Sequence, residues 1–183
     1  DSAGPIHLGQ RLGHLRQDPR VFRAVVYDKG AWSLHMLRGL VGDPAFFSGA
    51  RAFLERFRYA KAGTEDLRLA LEEASGRDLR PYFERWIYDT GPVEITWSAS
   101  TETVGPVFRT TIHARGQGLP GPLPLQIAVT TAGGREARTV TLEPAGGSWT
   151  IETVQKPRRV AVNEDRGLLA RTERVSRVAP AQR

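Results

Sequence analysis

Apolar residues recur every three to four positions through the first half of the chain and at every second position through the second half, with the change at Gly91-Pro92. From Lys29 to Val41, the apolar positions Trp32, Leu34, Met36, Leu37, Leu40 and Val41 predict a helix buried over much of its circumference, ended by Gly42. Asp43 is expected to cap the next helix, with Pro44 at its first position, where a missing N–H costs nothing. Along that helix Phe46, Phe47, Ala50, Phe53, Leu54 and Phe57 form a wide aromatic stripe, of which Phe46, Phe53 and Phe57 are read as core. Thr64-Glu65-Asp66 starts a third helix, placing acids where the helix dipole favours them, and Gly76 closes it. A fourth opens at Asp78, tolerates Pro81 in its first turn, and carries Leu79, Tyr82, Phe83, Trp86 and Ile87 on one face. Residues 1–23 offer only a hint of helix near Val21-Phe22-Arg23.

Beyond Pro92, Val93, Ile95, Trp97 and Ala99 alternate with polar residues as in a half-buried strand. Phe108–Ala114 and Leu123–Val129 repeat the pattern, and weaker versions fall at Thr139–Leu142, Trp149–Ile151 and Val160–Val162. Glycine pairs and Gly116-Gln117-Gly118 mark turns between them. Six or seven short antiparallel strands at this spacing predict an immunoglobulin-like β-sandwich. The expected organisation is α+β and multidomain: a helical part over 1–91, a sandwich over 92–165, and a loosely held basic tail over 166–183.

Composition narrows the chemistry. The chain has 183 residues and no cysteine, which removes disulfides, thiolate metal sites and cysteine catalysis together. No run of about 18 apolar residues exists, so no membrane-spanning helix is expected. The net charge of +6 invites a nucleic-acid partner. That reading is set aside: the two halves carry +2 and +4 with no clustered patch, and all but three of the basic residues are arginine.

The histidines His7, His14, His35 and His113 show no metal-ligand spacing, and no H-E-x-x-H occurs. His113 is expected on a solvated strand face and His35 packed beside a polar core group. Ser33 and Ser48 lack a G-x-S-x-G context, and no glycine-rich phosphate loop is present. The carboxylate pairs Glu65/Asp66 and Glu72/Glu73 fit solvated helix positions. Spacing alone therefore reaches only a chain of helices followed by a sandwich.

One stretch goes further. Ala24-Val25-Val26-Tyr27-Asp28-Lys29-Gly30-Ala31-Trp32-Ser33-Leu34-His35-Met36-Leu37-Arg38 is similar to the segment that follows the zinc site in the M1 family of zinc aminopeptidases. The likeness continues, in order and at matching intervals, through Gly42-Asp43-Pro44-Ala45-Phe46-Phe47, Thr64-Glu65-Asp66-Leu67, Ala74-Ser75-Gly76-Arg77-Asp78-Leu79 and Phe83-Glu84-Arg85-Trp86-Ile87. The resemblance implies the helical end of a thermolysin-like catalytic domain with a sandwich after it. It implies that Tyr27 reaches the metal centre and donates a hydrogen bond to the tetrahedral intermediate of peptide hydrolysis, as a neutral phenol can. Asp28, Lys29 and Gly30 are read as positioning residues, Gly30 by permitting close approach and Lys29 by pairing locally. Trp86 and the phenylalanine stripe are core, not a cofactor box.

The zinc-binding histidines, the downstream glutamate ligand, the general-base glutamate and the α-amino-binding residues of such enzymes have no counterpart in this sequence. The expectation is thus a C-terminal portion of a zinc aminopeptidase-like protein. It would be inactive alone, bind no zinc itself, and depend on a preceding catalytic segment for zinc and for a peptide substrate. The family includes exported and membrane-attached enzymes. Two alternatives remain open at this point: a non-catalytic M1-like scaffold, and an autonomous sandwich that binds carbohydrate or protein.

Overall fold

A computed structural model describes residues 5–7, 18–91 and 93–178. The chain divides into two compact units, Asp1–Gly91 and Pro92–Arg183.

In the first unit, Asp18 starts α1 (Pro19–Phe22), its Oδ1 accepting from the Arg20 and Val21 amides at 3.0 and 3.2 Å. The helix does not stop there. It widens into a π-helical segment, Arg23–Lys29, and narrows again into α2 (Gly30–Val41). Gly42, at φ 83°, ends α2 and is also the N-cap of α3 (Asp43–Arg56). Asp43 is therefore the first residue of α3 rather than its cap. Its freed carboxylate pairs with Arg38 instead, with Oδ1 to Nε at 2.7 Å and Oδ2 to Nη2 at 2.6 Å. α4 (Thr64–Ser75) starts with the Asp66 carboxylate accepting from the Gly63 amide at 2.8 Å and ends at left-handed Gly76. Asp78 starts α5 (Arg80–Phe83) by accepting from the Arg80 amide at 2.9 Å, and a second π-helical segment, Glu84–Tyr88, follows.

The core of this unit is Met36, Leu37, Ala70, Leu71, Leu79, Tyr82, Phe83 and Trp86. Two expectations fail here. On α2 only Ser33, Met36 and Leu37 are buried, whereas Leu34 is exposed. On α3 the buried residue is Gly49; Phe47 and Leu54 are 51% and 67% exposed, and Phe46, Phe53 and Phe57 are half-buried. The aromatic stripe is thus not a core stripe. The reason is close approach: a Cβ on Gly49 would stand 3.0 Å from the Ala70 carbonyl oxygen and from the Leu71 Cα, so the glycine lets α3 lie directly on α4.

The second unit holds β1 (Val93–Val104), β2 (Val107–Gln117), β3 (Leu123–Thr130), β4 (Arg135–Leu142), β5 (Gly147–Thr153), β6 (Arg159–Val162) and β7 (Ala170–Arg174). They form two sheets, ordered β5-β2-β1-β7 and β4-β3-β6. Register places Ile95, Trp97 and Ala99 on one face with Gly116, Ala114 and Ile112. Thr110 and Ile151 continue that row, and Ile95, Ile112, Thr110 and Ile151 are fully buried. Thr110 is not left unpaired, because its hydroxyl bonds that of Thr101, directly opposite, at 3.0 Å. In the other sheet Leu123, Leu125, Ile127 and Val129 of β3 are buried, paired along β4 and β6.

Two further corrections belong here. The strands are not all antiparallel, because β7 pairs parallel with β1, Val93 beside Ala170 and Trp97 beside Arg174. The segment from 166, expected to be a loose tail, supplies that strand. Leu168 is buried, locked by the Asn163 side chain, which accepts from its amide and donates to its carbonyl, each at 2.9 Å. The Arg174 guanidinium lies over the Trp97 ring, 5.2 Å from its centroid.

Candidate functional site

Tyr27 sits in the third turn counted from Asp18, inside the π-helical segment Arg23–Lys29. Such segments carry an extra residue per turn, which rotates the following side chains relative to a regular helix, and they concentrate at functional sites. The Tyr27 side chain is 63% exposed, its ring meeting Phe22 edge-on at 6.0 Å. Among the described residues no hydrogen bond engages its hydroxyl, so the phenol is available as a donor. Asp28 is exposed beside it.

Lys29 ends the segment and is half-buried, its Nζ donating to the Asp89 carbonyl at 3.3 Å. Burial, with the nearby Arg85 guanidinium, lowers its pKa, and the Asp89 carboxylate partly opposes this. Its pairing is therefore with the end of the helical unit, not local in sequence. Arg85 holds the same end, donating to the Asp89 carboxylate at 3.0 Å and to the carbonyls of Thr90 and Gly91 at 3.0 and 3.3 Å. Gly30 begins α2. It has helical φ, and among the described residues a Cβ there would meet nothing within 4 Å.

The remaining candidates scatter. His7, His35 and His113 are exposed; His35 touches the Trp32 ring and is not a core histidine. His14 lies outside the described residues. Among the described residues no group of three or more His, Asp or Glu side chains could hold a metal ion. The carboxylate pairs are structural rather than free in solvent. Glu65 and Glu72 both grip the buried Arg68, at 2.8 and 2.7 Å, and Glu72 also accepts from the Leu79 amide. Arg68 and the Tyr88 hydroxyl, the latter at 2.8 Å, hold the Glu65 carboxyl below the usual carboxylate range. Glu73 pairs with Arg56 at 2.9 Å. Two clefts, of about 530 and 550 Å³, are lined by residues other than Tyr27. No helix among the described residues is long and apolar enough to cross a membrane.

The aromatics that would mark a binding sheet are turned inward in part: Trp97 is buried, and Phe108 and Trp149 are half-buried. Sequence reasoning named Tyr27 and did not name the buried hydrogen-bonded pair that follows its segment. Ser33 and Tyr82 are both buried, the Tyr82 hydroxyl donating to the Ser33 carbonyl, and with a separation of 49 positions no local pattern announces the pair.

The fold of this chain resembles the crystal structure of Legionella pneumophila aminopeptidase A in complex with aspartic acid, with a TM-score of 0.67 at 15% identity, over 84% of this chain and 18% of that one. In sequence, it is 41% identical over 68 residues to aminopeptidase N of Lactococcus lactis subsp. lactis, a match over 37% of this chain and 8% of that protein. Aminopeptidase N of Streptomyces lividans is 33% identical over 99 residues, or 54% of this chain and 12% of that protein. The chain thus spans about a tenth of the length of the curated relatives it matches. Residues 1–86, just under half of the chain, match the family described as the Peptidase family M1 domain, and this segment is therefore similar to peptidase family M1.

Proposed function

We propose that this chain forms one wall of the active site of an aminopeptidase, in which Tyr27 donates a hydrogen bond to the oxyanion that develops as a peptide's N-terminal residue is cleaved off. The observation that carries the reading is Tyr27 itself: the tyrosine of Tyr27-Asp28-Lys29-Gly30, exposed on a π-helical segment with a hydroxyl that no described residue engages. A phenol suits that task, since it is neutral near pH 7 and gains a stronger hydrogen bond as the acceptor becomes an anion. Lys29 and Arg85 fasten the segment to the end of the helical unit.

Zinc, in this reading, is held by another segment of the protein and not by this chain, which is inactive alone. The two sheets are a β-sandwich that follows the catalytic domain. The substrate is a peptide, and no nucleic acid enters the reaction.

The coding sequence immediately before Asp1 tests this. The expected result is an H-E-x-x-H motif followed by a glutamate on the next helix, and a protein from that longer reading frame that hydrolyses aminoacyl chromogenic substrates while the 183-residue chain does not. A preceding sequence without those residues, or an active 183-residue chain, overturns the proposal.

A further inference from the structure

Two buried hydroxyls donate to backbone carbonyls at and just after the end of the π-helical segment that carries Tyr27. Ser33 Oγ donates to the carbonyl of Lys29, the last residue of the π-helical segment, at 2.8 Å. The Tyr82 hydroxyl donates in turn to the Ser33 carbonyl at 2.7 Å. Ser33 is 1% exposed and Tyr82 3%. Tyr82 reaches across from α5, its ring set against Phe83 and Trp86 with centroids 6.2 and 6.3 Å away. Burial pushes the Tyr82 phenol far above the ordinary tyrosine range, so it remains a donor throughout the pH range in which the protein works. A π-helical turn is less favourable than an α-helical one and persists where its surroundings hold it. Here the hold comes from a chain of hydrogen bonds that starts 49 positions away.

We infer that Ser33 and Tyr82 are positioning residues for Tyr27: the chain Tyr82–Ser33–Lys29 fixes the wide turn and, through it, the direction in which the Tyr27 phenol points. The inference rests on the reading of Tyr27 as the oxyanion donor and adds the device that aims it.

The test has two arms. In the 183-residue chain, labelled with 3-fluorotyrosine, the Tyr27 resonance is assigned by its loss in Tyr27→Phe. Tyr82→Phe keeps the ring and removes only the hydroxyl; Ser33→Ala removes the other. Each should shift or split the Tyr27 fluorine line and speed amide exchange over residues 26–33 about fivefold, as expected for one lost hydrogen bond. Exchange in β1 and β2 should not change. An unmoved line with unmoved exchange overturns the inference, and so does exchange that rises equally across the whole helical unit, since that is support without aim.

In the protein from the longer reading frame, both variants should lower kcat and leave KM in place. If Tyr27→Phe lowers kcat while Tyr82→Phe and Ser33→Ala do not, the positioning role falls and the aminopeptidase reading stands. If Tyr27→Phe leaves kcat unchanged, the reading of Tyr27 as the oxyanion donor falls on its own, and the fluorine and exchange results still decide whether the chain of hydrogen bonds orders the turn.

Discussion

Arg38 and Asp43 show how one residue's displacement from its expected role creates another interaction. With Gly42 serving as the cap, the Asp43 carboxylate forms a two-pronged pair with Arg38, whose guanidinium also lies 5.1 Å from the Phe47 ring centroid. The hydrogen bond from Arg38 holds the Asp43 carboxyl below the usual carboxylate range. A depressed folded pKa means that the pair stabilises the fold above the unfolded value near 3.8 and that this contribution is lost as pH falls through the folded value. Titration of Asp43 followed by carbon-detected NMR should therefore show a midpoint below that of an unfolded aspartate, and Arg38→Ala should bring it back up. A midpoint that ignores Arg38→Ala contradicts the pairing. Both groups are exposed, so the effect on overall stability is small.

At the scale of elements, the helix α3 separates what a sequence pattern reveals from what it hides. Its six apolar positions, five of them large, announced an amphipathic helix, correctly, but not which side faces inward. That side is set by Gly49, and the periodic pattern gives a glycine no weight. Gly49→Ala brings two opposed effects: a gain of about 1 kcal/mol in helix propensity and an overpacking cost of about 1–3 kcal/mol against the backbone of α4. The contacts at 3.0 Å include two backbone atoms, which cannot swing aside, so overpacking wins. The variant should be less stable by about 1 kcal/mol in urea unfolding; an equal or higher midpoint means α3 and α4 are free to separate.

β7 hid for a different reason. Ala170–Arg174 is mostly exposed and rich in charge, so it shows no alternation, and it is held by backbone pairing with β1 and by Arg174 on Trp97. The pairing continues past the strand, where the Val175 amide donates to the Trp97 carbonyl at 2.8 Å. Ending the chain after Leu169 removes these bonds and bares the edge of β1. Several hydrogen bonds at about 1 kcal/mol each should lower the melting temperature of the second unit by roughly 10 °C or more. An unchanged melting curve for the truncated chain would restore the loose-tail expectation.

Across the whole molecule, the change of hydrophobic period at Gly91-Pro92 coincides with the division into two compact units, because each period has its own means of burying a face. The alternating strands β1, β2 and β3 were legible since their buried rows are unbroken, as at Val93, Ile95 and Trp97. The π-helical segments were not, because widening a turn by one residue leaves composition unchanged. Tyr27 was singled out in the sequence only through its neighbours Asp28-Lys29-Gly30 and the landmarks that follow in register. The most direct measurement is steady-state peptidase kinetics of Tyr27→Phe in the protein from the longer reading frame, alongside its metal content. A fall in kcat of about 10²–10³ with metal and KM retained is the expected result for a lost oxyanion donor. An unchanged kcat would contradict it and return Tyr27 to an exposed residue on a helix.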